Sequence, residues 1–203
     1  TACSYQDGVL SFDIELTHNA GYVAYFAPYS YERHLELLAW AQGDERVGCE
    51  TLGNTLDGRA LHMLSISETA EPQHKAWVIA RQHPGETMAE WFIEGFLHAL
   101  LDPDNPLARK LLKTTAFYVV PNMNPDGSVR GHLRTNAVGA NLNREWLRPT
   151  MERSPEVYLV REKMLDTGVD LHLDIHGDEE LPYNFCVSNC GNPSFDDKLA
   201  TLE

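Results

Sequence analysis

Strands alternating with helices across residues 76–188 predict an α/β domain with a mixed, largely parallel sheet flanked by helices. Three observations carry this. Residues 77–80 (WVIA) and 116–120 (AFYVV) are short continuous apolar runs, the kind that fill strands buried on both faces. Between them, residues 87–102 repeat apolar side chains at the helical period. Residues 169–176 (VDLHLDIH) then alternate strictly, with Leu171, Leu173 and Ile175 facing one way and His172, Asp174 and His176 the other.

Taken in order, residues 9–16 (VLSFDIEL) alternate as a strand. Residues 22–27 are a second β-rich run after the turn-like His18-Asn19-Ala20-Gly21. Neither has partners enough for a sheet of its own, so they are expected to be the end of a β domain. A helix follows Pro28, with Ser30 as N-cap, Leu35, Leu38 and Ala39 on one stripe and Gly43 as the stop. Residues 47–67 read as a hairpin in which Asp57-Gly58 supplies the positive φ angles of a tight turn. Leu61, Met63 and Ser65 should share one of its faces.

In the helix over 87–102, Met88, Trp91, Phe92, Phe96, Ala99 and Leu100 keep the period, while Ile93, Leu97 and Leu101 widen the stripe enough to predict burial of most of its surface and core packing of its aromatics. Pro103 and Pro106 punctuate the next loop. Residues 121–149 show no periodicity, and so long an irregular stretch inside a domain is expected to serve function. Ser154-Pro155-Glu156 starts a helix that Gly168 ends. Residues 184–188 and those from 193 onward read as a further strand and a last helix.

The chain has 203 residues, enough for one sizeable core, with 43% hydrophobic and 23% charged residues. A formal net charge of -14 argues against a nucleic-acid partner, which calls for a basic face. No apolar run approaches the ~20 residues that span a bilayer, and no signal-peptide pattern is present, so a cytoplasmic setting is expected. The chain begins at Thr1, opens into strand-like sequence and finishes inside a predicted helix, so both ends are expected to be cut. Cys3, Cys49, Cys186 and Cys190 form no CxxC pair, which argues against a disulfide framework, and the one close pair, Cys186 and Cys190, reads as buried free thiols rather than a bridge or metal site.

The apolar run at 77–80 stops near His83, with Glu86 three residues on, and His176 ends the alternating strand at Gly177. Two histidines at the C-terminal ends of neighbouring strands point into one crevice, where open α/β sheets place their ligands. With Glu86 they supply two nitrogens and a carboxylate and leave a position for water, the pattern of a catalytic zinc. His18, His34, His62, His74, His98 and His132 lack this support and read as structural. Asp174 shares the face of His176 and is either its hydrogen-bond partner or a solvated carboxylate. In the irregular stretch, Arg134 and the pair Asn143-Arg144 are either surface residues or a carboxylate-binding and oxyanion-stabilising set.

Four motifs occur in order: His83-Pro84-Gly85-Glu86, Asn124-Pro125-Asp126-Gly127, residues 138–144 (VGANLNR) and Asp174-Ile175-His176-Gly177. Together they resemble the zinc metallocarboxypeptidases of the carboxypeptidase A superfamily, most closely the cytosolic carboxypeptidase branch and its bacterial relatives. Residues 52–59 (LGNTLDGR) are similar to the hairpin that opens that family's catalytic domain, and residues 22–31 to its junction with a preceding β-sandwich. The resemblance implies a zinc carboxypeptidase-like fold, incomplete here, with residues 1–28 the remnant of a β-sandwich domain and 29–203 the first part of the catalytic domain. It implies one zinc ion held by His83, Glu86 and His176, and Arg134 polarising the scissile carbonyl. Asn143 and Arg144 would grip the terminal carboxylate of a peptide or protein substrate. No nucleic acid or membrane partner is implied. The family's general base is a glutamate well downstream of the third ligand, whereas this sequence runs only 27 residues past His176. Glu179 and Glu180 do not match it in position, so the base is expected beyond Glu203. Two alternatives accompany this reading: an aspartoacylase-like zinc amidohydrolase, and a non-catalytic carboxylate-binding pseudoenzyme.

Overall fold

The computed structural model describes residues 3–21, 23–181 and 183–187. It opens with an exposed antiparallel pair, β1 (Cys3–Gln6) and β2 (Val9–Phe12), which forms a sheet of its own. Asp7 and Gly8 turn it, both at positive φ, as a two-residue hairpin loop requires. The expected strand over 9–16 therefore stops at Phe12 and pairs backwards onto β1. Residues 23–27 form no strand.

After α1 (Tyr31–Ala41), capped by Ser30 as expected, the main sheet comprises β3 (Val47–Asn54), β4 (Ala60–Ile66), β5 (His74–Ala80), β6 (Thr115–Val120) and β7 (Leu171–Ile175). Its order is β3-β4-β6-β5-β7. The β3–β4 and β4–β6 pairs are antiparallel, and β6–β5 and β5–β7 are parallel, so the sheet is mixed as expected, with the two kinds of pair in equal number rather than largely parallel. Between β3 and β4 the connection is a five-residue loop, closed by Thr55 N–H to Arg59 O and Gly58 N–H to Thr55 O, rather than a two-residue turn. Of Asp57 and Gly58 only the glycine takes a positive φ.

Period-two alternation sorts β5 between two cores. Ala76, Val78 and Ala80 pack with α1, α2 (Thr87–Leu101) and α3 (Pro106–Leu112) on one face. Trp77 and Ile79 pack with Leu61, Met63, Leu142 and residues of α5 (Pro155–Thr167) on the other. A strand buried on both sides has no polar face to show, hence the continuous run.

Two helix faces differ from expectation for one reason. α1 buries His34, Leu37, Leu38 and Ala41 and leaves Leu35 and Ala39 exposed. α2 buries Ala89, Glu90, Ile93, Leu97, Leu100 and Leu101, while Phe92 is 48% exposed. A carboxylate takes the core face because Glu90 is paired with the His34 ring at 2.7 Å and with the Arg81 guanidinium. This buried polar contact between His34 of α1 and Glu90 of α2 holds both helices in an orientation that apolar periodicity alone does not give.

Short elements were also hidden. Pro106 begins α3 behind the N-cap Asn105 rather than punctuating a loop. Within 121–149 lie α4 (Pro125–Arg130) and a 3-10 turn (Leu142–Arg144). Six and three residues are too few to show a 3.6 period, though the caps of α4 are legible: Asn124, then Pro125, then Gly131 in the left-handed region. Residues 184–187 form no strand, and the expected helix from 193 lies outside the described residues. Cys186 is exposed rather than buried, and Cys190 lies outside the described residues; Cys49 is half-buried and Cys3 exposed. Among the described residues no helix is long and apolar enough to cross a membrane.

Candidate metal centre

β5 and β7 run side by side in parallel, with Ala80 opposite Ile175. Their C-terminal ends therefore deliver His83, three residues past β5, and His176, one past β7, to the same corner. Glu86 occupies the N-cap position of α2, yet its carboxylate makes no capping bond. It turns outward instead: Oε1 lies 2.7 Å from His83 Nδ1, Oε2 lies 2.8 Å from His176 Nδ1, and Oε2 accepts the Gly177 N–H at 3.0 Å. The positive end of the helix dipole favours a carboxylate there. Donor atoms of the three side chains all fall within 4.8 Å of one another.

Each imidazole is also held from behind. His176 Nε2 is 3.0 Å from Asp174 Oδ2, and His83 Nε2 is 3.0 Å from Asn141 Oδ1. An oxygen on the far nitrogen fixes ring orientation and tautomer, as in metal-ligating histidines. Asp174 is thus a hydrogen-bond partner of the ring and not a solvated carboxylate. Burial works to raise the Glu86 carboxyl, but the His176 and His83 rings and the Gly177 amide overcome it and bring it to about 2. Burial works to lower His176, and Asp174 and Glu86 instead carry it up to about 9. A positive charge held between two carboxylates is what a divalent cation replaces, so the donor set fits zinc.

A buried layer supports the corner. Gln82 Nε2 donates to Asp174 Oδ2 at 2.6 Å, and its own Oε1 accepts from Trp146 Nε1 at 2.8 Å. Arg81, at φ 57°, donates through Nε to Pro84 O at 3.1 Å and through Nη1 to Tyr29 O at 3.0 Å. Its left-handed backbone costs about 1 kcal/mol or more for a non-glycine residue and turns the chain from β5 into the ligand loop.

The motif loops interlock through two glycines. Gly85 N–H donates to Leu133 O at 2.9 Å, and a Cβ on Gly85 would meet that oxygen at 2.9 Å. A Cβ on Gly127 would lie 2.4 Å from Pro84 Cγ and 2.6 Å from Thr135 O. Asn124, which caps Gly127, also donates to Gln82 O at 3.0 Å. This close approach sets Arg134 beside the corner, with Nη2 3.4 Å from His83 Nε2 and Nη1 3.7 Å from Glu86 Oε1. Asn143 Nδ2 lies 3.4 Å from His176 Nε2. Arg144 stands apart: it is exposed, and Nη1 donates to Asn143 O at 3.0 Å.

The expected residues His83, Glu86, His176, Arg134 and Asn143 are thus brought together, with Arg144 one residue away in the chain. Gln82 and Trp146 carry no signal in the sequence, whereas Asn141 lies within the motif at 138–144, without a role assigned to it there. Surface hollows of ≈ 540 and ≈ 370 Å³ lie by Trp40, Gly43, Arg46 and Leu101, away from the corner, so donor geometry and not cavity size marks the site.

Residues 31–198 match the zinc carboxypeptidase family model, Peptidase M14. An uncharacterised Zymomonas mobilis protein is 52% identical over 202 residues, covering 98% of this chain and 52% of its own length. Human cytosolic carboxypeptidase-like protein 5 is 32% identical over 165 residues, covering 76% of this chain and 19% of its own. Among solved structures, a Shewanella denitrificans protein provisionally named carboxypeptidase A superposes with a TM-score of 0.91 at 57% identity, over 99% of this chain and 54% of that one. A Pseudomonas aeruginosa metallo-carboxypeptidase in complex with (2-guanidinoethylmercapto)succinic acid superposes with a TM-score of 0.75 at 52% identity, over 78% and 42%. The chain therefore spans about half the length of its bacterial relatives. These matches give no support to the amidohydrolase alternative.

Proposed function

The chain belongs to the zinc carboxypeptidase family, and from that premise we propose that it serves to hydrolyse the C-terminal peptide bond of peptides or proteins. The observation that carries the proposal is the convergence of His83 Nδ1 and His176 Nδ1 on the two oxygens of Glu86. These three side chains would hold one zinc ion, which supplies an activated water and polarises the carbonyl.

The chain's own residues would do the rest. Arg134, beside His83, donates to the scissile carbonyl oxygen as charge develops on it. Asn143 and Arg144 take the terminal carboxylate, the guanidinium through a two-pronged bond. Asp174 and Asn141 keep the imidazoles oriented, and Gln82 keeps Asp174 in place. The Pseudomonas relative is consistent with a carboxylate grip, since its ligand is a succinic acid. Residues 1–28 would be the end of a preceding β-sandwich and 29–203 the first part of the catalytic domain, a division supported by the separate β1–β2 sheet. A cytosolic setting is suggested by the names of the human relatives.

Titration with zinc should load one ion per chain, and the loaded protein should bind a dipeptide with a free C-terminus more tightly than its C-terminal amide. Equal affinity for the two peptides would refute the carboxylate grip, and failure to load zinc would refute the metal assignment.

A further inference from the structure

Arg134, Asn143 and Arg144 sit on a loop whose residues are mostly exposed or half-buried, and something must hold three substrate-facing groups in register. Asn136 is fully buried within that loop, and every side-chain hydrogen-bonding position it has is used. Oδ1 accepts the N–H groups of Val138 and Ala140 at 3.2 and 3.0 Å. Nδ2 donates to Arg153 O at 2.8 Å and to Glu156 Oε2 at 3.3 Å. Its backbone N–H reaches Ala140 O at 2.9 Å, and its carbonyl accepts from Gly139 N–H at 3.1 Å. One side chain thus closes the turn between the two arginines and bolts it to the start of α5.

The bolt's other half is as unusual. Glu156 is fully buried near the N-terminus of α5, and among the described residues its Oε1 has no hydrogen-bond partner. Burial first, with the Asp126 charge adding to it, outweighs the bonds from its own amide and from Asn136 and raises its carboxyl to about 7. A carboxyl this costly to bury calls for a role, and among the described residues the side chain that bonds it is Asn136.

We propose that Asn136 and Glu156 form a positioning pair that sets the substrate-gripping loop, acting on the affinity for a terminal carboxylate without touching substrate or metal. This rests on the carboxylate grip proposed above. The zinc-loaded chain is titrated with a dipeptide bearing a free C-terminus and with its C-terminal amide. Zinc stoichiometry and thermal unfolding are followed in parallel. In Asn136→Asp, titrated at about pH 8.5 where Glu156 no longer supplies a proton, the acceptor oxygen for the turn remains, but the amide donor is lost and a second carboxylate faces Glu156. Free-carboxylate affinity should fall about tenfold, while zinc stoichiometry and affinity for the amide stay as in the parent. Adding Glu156→Gln supplies an amide donor opposite the introduced carboxylate and should restore affinity to within about threefold of the parent, since the bond across the pair is remade in the reverse direction and the bond to Arg153 O is the one lost.

The inference is overturned if folded, zinc-loaded Asn136→Asp binds the carboxylate normally, if carboxylate and amide weaken together, or if the double variant recovers nothing. Should Asn136→Asp fail to fold, a folded double variant with parental affinity still supports the pair, and an unfolded double variant rejects it in favour of a purely structural role. A parent chain that cannot tell carboxylate from amide would instead overturn the grip itself, and this inference with it.

Discussion

At the metal corner, each donor is carried by the end of a strand or helix and locked to the others: His83 to Glu86, Glu86 to His176, and His176 to Asp174. In the loop over residues 131–144, the functional groups are exposed or half-buried, and rigidity comes from beneath, through Asn136 and the buried Ala140 and Leu142. The two regions touch at Gly85 with Leu133 and at His83 with Asn141. A metal ion needs fixed donors around a point. A peptide end must arrive and leave, so its anchors stand in solvent on a stiff base.

The largest effect expected is on the corner alone. His176→Ala should abolish stoichiometric zinc binding while the loop's bonds around Asn136 persist; unchanged metal content would remove His176 from the site. Gly127→Ala should disturb both regions at once, because its methyl enters the space of Pro84 and Thr135. A stability loss of about 3 kcal/mol or more in urea unfolding is expected, as for overpacked sites, together with weaker zinc retention. A loss confined to one region would mean that the two are not braced against each other there.

A third test probes the base of the loop. Glu156 has a folded-state pKa of about 7, above its ordinary value of 4.5, so the folded chain keeps a proton that the unfolded chain releases between those values. Unfolding free energy should therefore decline as pH rises from 4.5 to 7 and level off above, by roughly 3 kcal/mol for this group. Glu156→Gln should remove that slope, and a denaturation series with an unchanged slope would show that Glu156 is not the group responsible. The smallest effect is at the rim. Arg144→Ala should weaken a free-carboxylate peptide by about tenfold and leave its amide and zinc content untouched. Equal weakening of both peptides would place Arg144 outside the grip.

What could be read in advance follows the range of each interaction. His83-Pro84-Gly85-Glu86 was legible because an apolar run stops and two donors follow at once. The split of β5 between two cores was legible for the same reason, since strand alternation is local. The face of α1 was not, because it depends on His34 meeting Glu90 from a helix 56 residues away. Asn136 was invisible among other polar loop residues. Its burial is decided by α5, which lies beyond it in the chain.

By itself the sequence determined which groups this protein has to offer: two imidazoles, a carboxylate, arginines on an irregular segment, and strands and helices with definite periods. Only the tertiary structure decided that they meet. Glu86 and His176 are 90 residues apart, and they come within 2.8 Å because β7 pairs in parallel with β5 in one register. Side-chain period is a property of a few consecutive residues, whereas strand pairing is chosen by the burial of the whole sheet between its helices.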